Sequence, residues 1–443
     1  MKHRLFFFLL VSIIIAHSSA NACTIVAVSG SITVDGRPLL MKARDSYIND
    51  IIVKIGLGSN YVYLCQTNVP DGSAYSGYNE TGFSIVSSHS YNMPNSDYHW
   101  NAFLMQLALE RCATVDEFEY LLDSLPKPIS VCSNYGVMDA QGNVAIFEVD
   151  AYTHARYDAD NTDCSYLIRT NFSFSQDTTI VNTVTPTSIP RYQIASAFLE
   201  ETVTINGCIS KEDLIELSRC LVNSEGEDLR DLAPFDENIY TPVEFRFYIP
   251  RFTSTSAMIV QGLLPNEQPN LTVAWTMLGP QMTSICVPYW ITPRYVLPQK
   301  AKMGSDGHSW FCYRGQQLKN NCFIDNNTLD LAKLYNLGET GVMQKICNIE
   351  EAIIDRGNFL MDKLRNGEAH CFDVESYYAW LDDYVEEQYE QYNLLEMNPN
   401  ASVGEVDIED GEIEYYDVLG RRVNNVRDGS IIKRSGKIAI VLN

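Results

Sequence analysis

The order in which hydrophobic periodicity changes along the chain is its strongest constraint. Residues 24–55 alternate as strands do. They hold the run Thr24-Ile25-Val26-Ala27-Val28, a turn signal at Asp35-Gly36, and a second run ending at Asp45. Two further β-rich stretches follow at 61–65 and 83–87. The period then becomes helical at 98–112 and 115–125, the second opened by Thr114 as N-cap with Glu117 three residues on. Strands return at 134–138 and 144–149 around the turn 139–143. Helices follow at 191–201 and 211–222, and strands at 257–260, 272–277 and 284–287. After Pro298 the stretches 329–336, 350–365 and 374–394 read as helices. Blocks of strands separated by blocks of helices predict a layered α+β fold, not a run of βαβ units. No internal repeat is visible.

The first 22 residues have the form of a secretory signal. Lys2, His3 and Arg4 are basic, 5–16 is an apolar run, and Ala20-Asn21-Ala22 offers a cleavage site. The run is too short for a transmembrane helix, and no later stretch is apolar enough to span a bilayer. Cleavage would leave 421 of the 443 residues, and the loss of Lys2 and Arg4 would take the net charge from −24 to −26. Such a chain repels nucleic acid and anionic membranes, so neither is expected as a partner. The expected location is exported: periplasmic, cell-surface or extracellular. All 12 cysteines lie after residue 22, none in a C-x-x-C pair or a Cys/His zinc spacing. Cys312 and Cys322 could close a short loop.

Cys23 follows the cleavage site directly. A thiol needs a base to become a thiolate near neutral pH. An α-amino group created on Cys23 would be that base, with a reference pKa of about 7.7–8.0. Two other readings compete. A cysteine after a signal segment accepts a lipid anchor in some proteins, although Ala20 stands where that processing favours a branched aliphatic residue. A cysteine opening a strand is also a plain core residue.

The stretch from Cys23 to Ser46 resembles the opening of the N-terminal-nucleophile (Ntn) hydrolases of linear amides. That group holds choloylglycine hydrolase, penicillin V acylase, N-acylethanolamine acid amidase and 6-aminopenicillanic acid acyltransferase. Five further stretches resemble the group's motifs in order. Gly77-Tyr78-Asn79-Glu80-Thr81-Gly82-Phe83 resembles GxNExGL. Asn134 through Asp139, Gly142-Asn143 and Glu148 resemble its hairpin, and Thr170-Asn171 its T-N pair. Thr255-Ser256-Ala257-Met258 to Leu278-Gly279-Pro280, and then Val287-Pro288-Tyr289-Trp290, resemble its closing segment, nearest to acyltransferase-like exported bacterial members.

The resemblance implies an αββα four-layer sandwich over 23–300, with 301–397 as a helical C-terminal part of that core. It implies Cys23 as nucleophile and, through its amine, as base. Asp45 would hold the amine. Asn171 would supply the oxyanion hole, with Asn79 and a backbone N–H as further donors. Several relatives carry arginine at the place of Lys42, and Arg44 lies one before Asp45, so either cation is a candidate partner of the sulfur. On a strand Lys42 and Arg44 share a face and Asp45 points away from it. Near Arg191 some relatives carry a second arginine where this chain has Ile194. That departure weakens a bile-acid-specific role, and Arg191 reads equally as a helix-start surface residue.

The implied reaction is cleavage, or acyl transfer, of a small-molecule N-acyl amide through a thioester, with no metal or organic cofactor. A lipid-anchored or inactive surface protein on the same fold is the alternative, and a homo-oligomer is compatible with either. Residues 398–411 read as an acidic linker. The segment 412–443, with its YDVLGRRV core, resembles the short C-terminal sorting domain of Bacteroidetes exported proteins.

Overall fold

The computed structural model describes residues 22–69, 72–94 and 100–395, and four short strand segments after residue 413. The expected leader, apart from Ala22, and the expected linker lie outside the described residues. The chain divides into two compact units, Met1–Pro399 and Asn400–Asn443.

The first unit opens with β1 (Cys23–Val28), β2 (Leu39–Asp45), β3 (Ile51–Leu57), β4 (Val62–Asn68), β5 (Ala74–Asn79) and β6 (Ser84–His89). Helices α1 (Asn101–Arg111) and α2 (Val115–Ser124) follow, then β7 (Ser133–Met138), β8 (Val144–Val149), β9 (His154–Asp158) and β10 (Tyr166–Arg169). Next come α3 (Val181–Val184), α4 (Ser188–Asn206), α5 (Lys211–Ser218), β11 (Pro242–Glu244), β12 (Ser254–Gln261), β13 (Val273–Leu278) and β14 (Cys286–Tyr289). The unit closes with α6 (Trp310–Cys322), β15 (Thr328–Asp330), α7 (Leu331–Leu334), α8 (Val342–Arg365) and α9 (Cys371–Gln391).

Two antiparallel sheets carry the architecture. One has the order β10-β1-β2-β12-β13-β14 and the other runs β3 to β9 in sequence. They pack face to face through β1 and β2 against β6, and β12 against β5. Helix α1 covers the outer face of the seven-stranded sheet, while α4, α5, α6 and α8 cover the six-stranded one. The result is an α+β sandwich of four layers. Every residue of β1 and β2 is buried because both faces of that sheet are covered. This is why these strands read as apolar runs with a few embedded charges instead of a clean alternation.

Thr114 caps α2 as its spacing predicts: its hydroxyl accepts from the Glu117 N–H at 3.1 Å, and the Glu117 carboxylate accepts from the Ala113 N–H at 2.6 Å. Three expectations need correction. The expected helix at 329–336 splits into β15 and the single turn α7, because β15 pairs with β11. Helix α8 starts at Val342, eight residues before the expected start, where the Gln344 side chain accepts from the Gly341 N–H at 3.1 Å. Cys312 and Cys322 are both free and lie on α6, ten residues or about 15 Å apart along the axis, so no bridge joins them.

In the second unit, β16 (Glu414–Tyr416), β17 (Arg422–Val423), β18 (Ile431–Arg434) and β19 (Lys437–Ile440) form an antiparallel sheet ordered β17-β16-β18-β19.

Candidate active site

Cys23 opens β1, an interior strand, and its Cα pairs with that of Arg44 on β2. Ile25 pairs with Lys42 in the same ladder, so Cys23, Lys42 and Arg44 share one face of the sheet. That face looks toward the other sheet. The Lys42 ammonium donates to the Tyr75 carbonyl at 2.8 Å and the Ser87 hydroxyl at 3.3 Å. The Arg44 guanidinium lies over the Tyr75 ring and donates to Thr255 Oγ1 at 3.1 Å. Burial pushes the Lys42 ammonium down to about 8; Cys23 acts on it in the opposite direction, and Arg44 pushes it down further. Lys42 is therefore within electrostatic reach of Cys23.

Asp45 turns away from that face. Its carboxylate accepts from the Ser254 hydroxyl at 2.6 Å and from the Arg251 guanidinium, whose Nε lies at 3.1 Å. Arg44 and Asp45 diverge as neighbours on a regular strand do, and the irregularity lies on the neighbouring strand β12. Register shifts between Ser254 and Ser256, leaving Thr255 as an inserted residue. The expected contact of Asp45 with the nitrogen of Cys23 is not the one formed. Instead, the Cys23 N–H donates to Asn171 Oδ1 at 2.9 Å. The Asp45 N–H donates to the carbonyl of Ala22, the residue before Cys23, at 2.7 Å.

Asn171 follows β10 and is fully buried. Its Nδ2 donates to the His89 carbonyl at 2.8 Å. The motif residues around it explain why it stands there. The Asn134 carboxamide donates to the carbonyls of Thr170 and Phe172 at 3.2 and 3.0 Å and accepts from the Ser173 hydroxyl at 2.6 Å. Glu148 pairs with Arg169 at 2.6 Å and accepts from the N–H groups of Phe174 and Ser175. The hairpin therefore braces the Asn171 segment from both ends. His89, at the end of β6, is held neutral by burial, which pushes its ring down to about 4.

Arg191 is no surface residue. It reaches from the first turn of α4 and is 0% exposed. Its Nη1 donates to the Cys23 carbonyl at 2.6 Å and to Thr24 Oγ1 at 3.1 Å. Its Nη2 donates to Asn171 Oδ1 at 2.8 Å and Ser188 Oγ at 3.3 Å. One guanidinium thus fixes both the first residue of β1 and the side chain facing it. Burial and the nearby Arg251 push Arg191 down to about 9, while Asp45, Cys23 and Tyr91 pull it back up.

Asn79 is a correction. Along β5, Tyr78 points between the sheets, where its hydroxyl donates to the Tyr289 carbonyl at 3.1 Å. Asn79 therefore points to the opposite, helical side. Both Nδ2 hydrogens are used there, on the carbonyls of Leu109 and Cys112 at 2.9 and 2.8 Å, and its Oδ1 holds Thr81. It tethers the β5–β6 turn to the end of α1 and has no donor left for an oxyanion.

The site thus brings together Cys23, Lys42, Arg44, Asp45, Asn171 and Arg191, and excludes Asn79. Sequence reasoning missed Arg251, which neither spacing nor motif marks. It quoted Asn134 and Glu148 only as motif letters. A cleft of about 560 Å³ lined by Asp35, Arg37, Lys211 and Arg365 lies at the other end of β2, beside Leu39. Among the described residues, no group of three or more His, Cys, Asp or Glu is placed to hold a metal ion. No described helix is long and apolar enough to cross a membrane.

Two stacked antiparallel sheets between helical layers form the αββα sandwich that the sequence resemblance implies, with a cysteine opening an inner strand. Residues 33–225 match the model of the acyl-coenzyme A:6-aminopenicillanic acid acyl-transferase family. The matched segment holds Lys42, Arg44, Asp45, Asn171 and Arg191, and begins ten residues after Cys23. No curated protein matches the chain in sequence. Among solved structures the chain is similar to an N-acylethanolamine-hydrolyzing acid amidase ortholog from Caenorhabditis elegans, at 14% identity over 39% of this chain and 77% of that one, with a TM-score of 0.30. It is similar to a conjugated bile acid hydrolase from Clostridium perfringens, at 12% over 61% and 92%, TM-score 0.37. It is also similar to penicillin V acylase from Agrobacterium tumefaciens, at 15% over 62% and 87%, TM-score 0.36.

Proposed function

We propose that the chain is an exported cysteine Ntn enzyme that cleaves, or transfers the acyl group of, a small-molecule N-acyl amide. The observation that supports it is the clamp on Cys23. Its nitrogen is held by Asn171, its carbonyl by Arg191, and its side chain lies on the face that carries Lys42 and Arg44. Any buried residue needs partners for its N–H and C=O; what a merely structural cysteine does not need is two cations on the face its side chain occupies.

In this reading residues 1–22 are removed, and the freed amine stays on the Asn171 carboxamide oxygen. The amine takes the thiol proton directly or through a water. The Lys42 ammonium, with Arg44 on the same face, stabilises the thiolate. The sulfur attacks the amide carbonyl, and the oxyanion takes a hydrogen bond from the Asn171 carboxamide. The amine returns its proton to the leaving nitrogen as the C–N bond breaks. Water, or an acceptor amine, then attacks the thioester. Arg191 and Asp45 are positioning residues here: one fixes β1 and Asn171, the other ties β2 to β12 through Arg251 and Ser254.

The test is turnover of a panel of N-acyl amides by chain purified with Cys23 as its first residue, beside Cys23→Ala. Amide cleavage that the substitution abolishes supports the reading. A lipid-modified Cys23, seen in the intact mass, would block the base and leave the surface-anchor alternative.

A further inference from the structure

With Ala22 still joined to Cys23, the Asp45 N–H is satisfied by the Ala22 carbonyl at 2.7 Å, and both residues are buried. That carbonyl is an acyl group bonded to the nitrogen of Cys23, and connectivity alone keeps its carbon within about 3–4.5 Å of Cys23 Sγ. The Asp45 N–H is therefore aimed at the place where a carbonyl attacked by that sulfur sits. A buried N–H that loses its partner costs about 1–3 kcal/mol, so it is a strong donor to whatever oxygen replaces Ala22. Asn79, the donor that resemblance implies from the facing loop, is fully engaged elsewhere.

We propose that the backbone N–H of Asp45 is the second oxyanion donor of this enzyme, unmasked when Ala22 leaves. The inference rests on Cys23 being the nucleophile. The substrate carbonyl oxygen takes the place on the Asp45 N–H that the Ala22 oxygen vacates, with its carbon set away from the Cys23 amine and toward the sulfur. As the thiolate sulfur bonds to that carbon, the C=O π pair moves onto oxygen and is held by the Asp45 N–H and the Asn171 carboxamide. The thiol proton sits meanwhile on the Cys23 amine. Collapse of the oxyanion breaks the C–N bond, and the amine's proton goes to the departing nitrogen. The donor belongs to a sheet rung flanked by the Cys23–Arg44 pair, so it is fixed before substrate arrives.

The test replaces the amide at residue 45 by an ester. The α-hydroxy analogue of aspartate is introduced by stop-codon suppression in the chain that starts at Cys23. Two reactions are followed on the Cys23 peptide by mass spectrometry. Acylation by p-nitrophenyl acetate passes through an oxyanion and releases p-nitrophenolate. Alkylation by iodoacetamide displaces iodide without one, and so reports an intact site and thiol. The expected result is an acylation rate about 10²–10³-fold lower with alkylation unchanged. Acylation unchanged, or both rates falling in parallel, overturns the assignment. If Cys23 of the unmodified chain reacts with neither reagent, the Cys23 reading itself fails and the donor assignment falls with it.

Discussion

At the scale of single residues the site is held by cations. Arg191→Met strips the donors from the Cys23 carbonyl, Thr24 Oγ1 and Asn171 Oδ1 at once. Leaving buried acceptors unmet predicts a loss of about 2–5 kcal/mol in denaturant unfolding, and misplacing the nucleophile predicts a fall of about 100-fold in kcat/KM. Unchanged kcat/KM in a folded variant would remove Arg191 from the mechanism. Lys42 predicts a pH effect. It is charged below about pH 8 and neutral above, so turnover that needs its charge falls as pH rises through about 8. Lys42→Arg keeps the charge and should move that limb upward, whereas Lys42→Met should remove it and lower the rate throughout; a limb that neither variant moves would belong to another group. The stability sign is separate: between about 8 and 10.5 the unfolded chain binds the Lys42 proton and the folded chain does not, so stability rises with pH across that window. Cys23, Asp45 and Asn171 stand at motif letters in the sequence, whereas Lys42 stands where several relatives carry arginine and Arg44 was marked only by lying beside Asp45. Arg251 was not marked, since a single arginine becomes a partner of Asp45 only once β2 and β12 are side by side.

At the scale of elements, the C-terminal helices are locked to the six-stranded sheet by a buried ion pair. Arg219 forks onto both oxygens of Glu350 at 2.7 and 2.6 Å, and donates to the carbonyls of Gln281 and Ser284. Glu350 also accepts from the Cys286 N–H on β14. Glu350→Ala leaves a guanidinium buried without its counter-ion and should cost about 3–5 kcal/mol in chemical denaturation. The double change Arg219→Met with Glu350→Leu should cost clearly less. Equal losses would mean that packing, not the pair, joins α8 to the sheet. This joint also shows where sequence reading stopped. Glu350 looks like a helix start because acidic residues favour first turns, yet α8 begins eight residues earlier. Helix α6 was missed altogether, since its buried side includes Gly315 and Lys319, and Lys319 donates to the Phe252 carbonyl at 2.9 Å instead of facing water.

At the scale of the whole molecule, the alternation of strand and helix blocks was enough to give the layered class, because strand runs and helical runs fall in separate stretches of the chain. Which distant strands pair, and which faces meet, was not legible: β1 sits between β2 and β10, and β2 between β1 and β12, and both β10 and β12 lie more than a hundred residues further along the chain. The site is made by that pairing, since it places the first residue of β1 against a loop near 171 and a helix near 191. The claim that most needs testing is that Cys23, with its own amine, carries the acyl group. The direct measurement is the mass of the Cys23 peptide after acid quench during turnover of an N-acyl amide. The account predicts an acyl adduct on that peptide that hydroxylamine removes and that Cys23→Ala lacks. Turnover by Cys23→Ala at the rate of the unmodified chain, with no adduct on either, would contradict it.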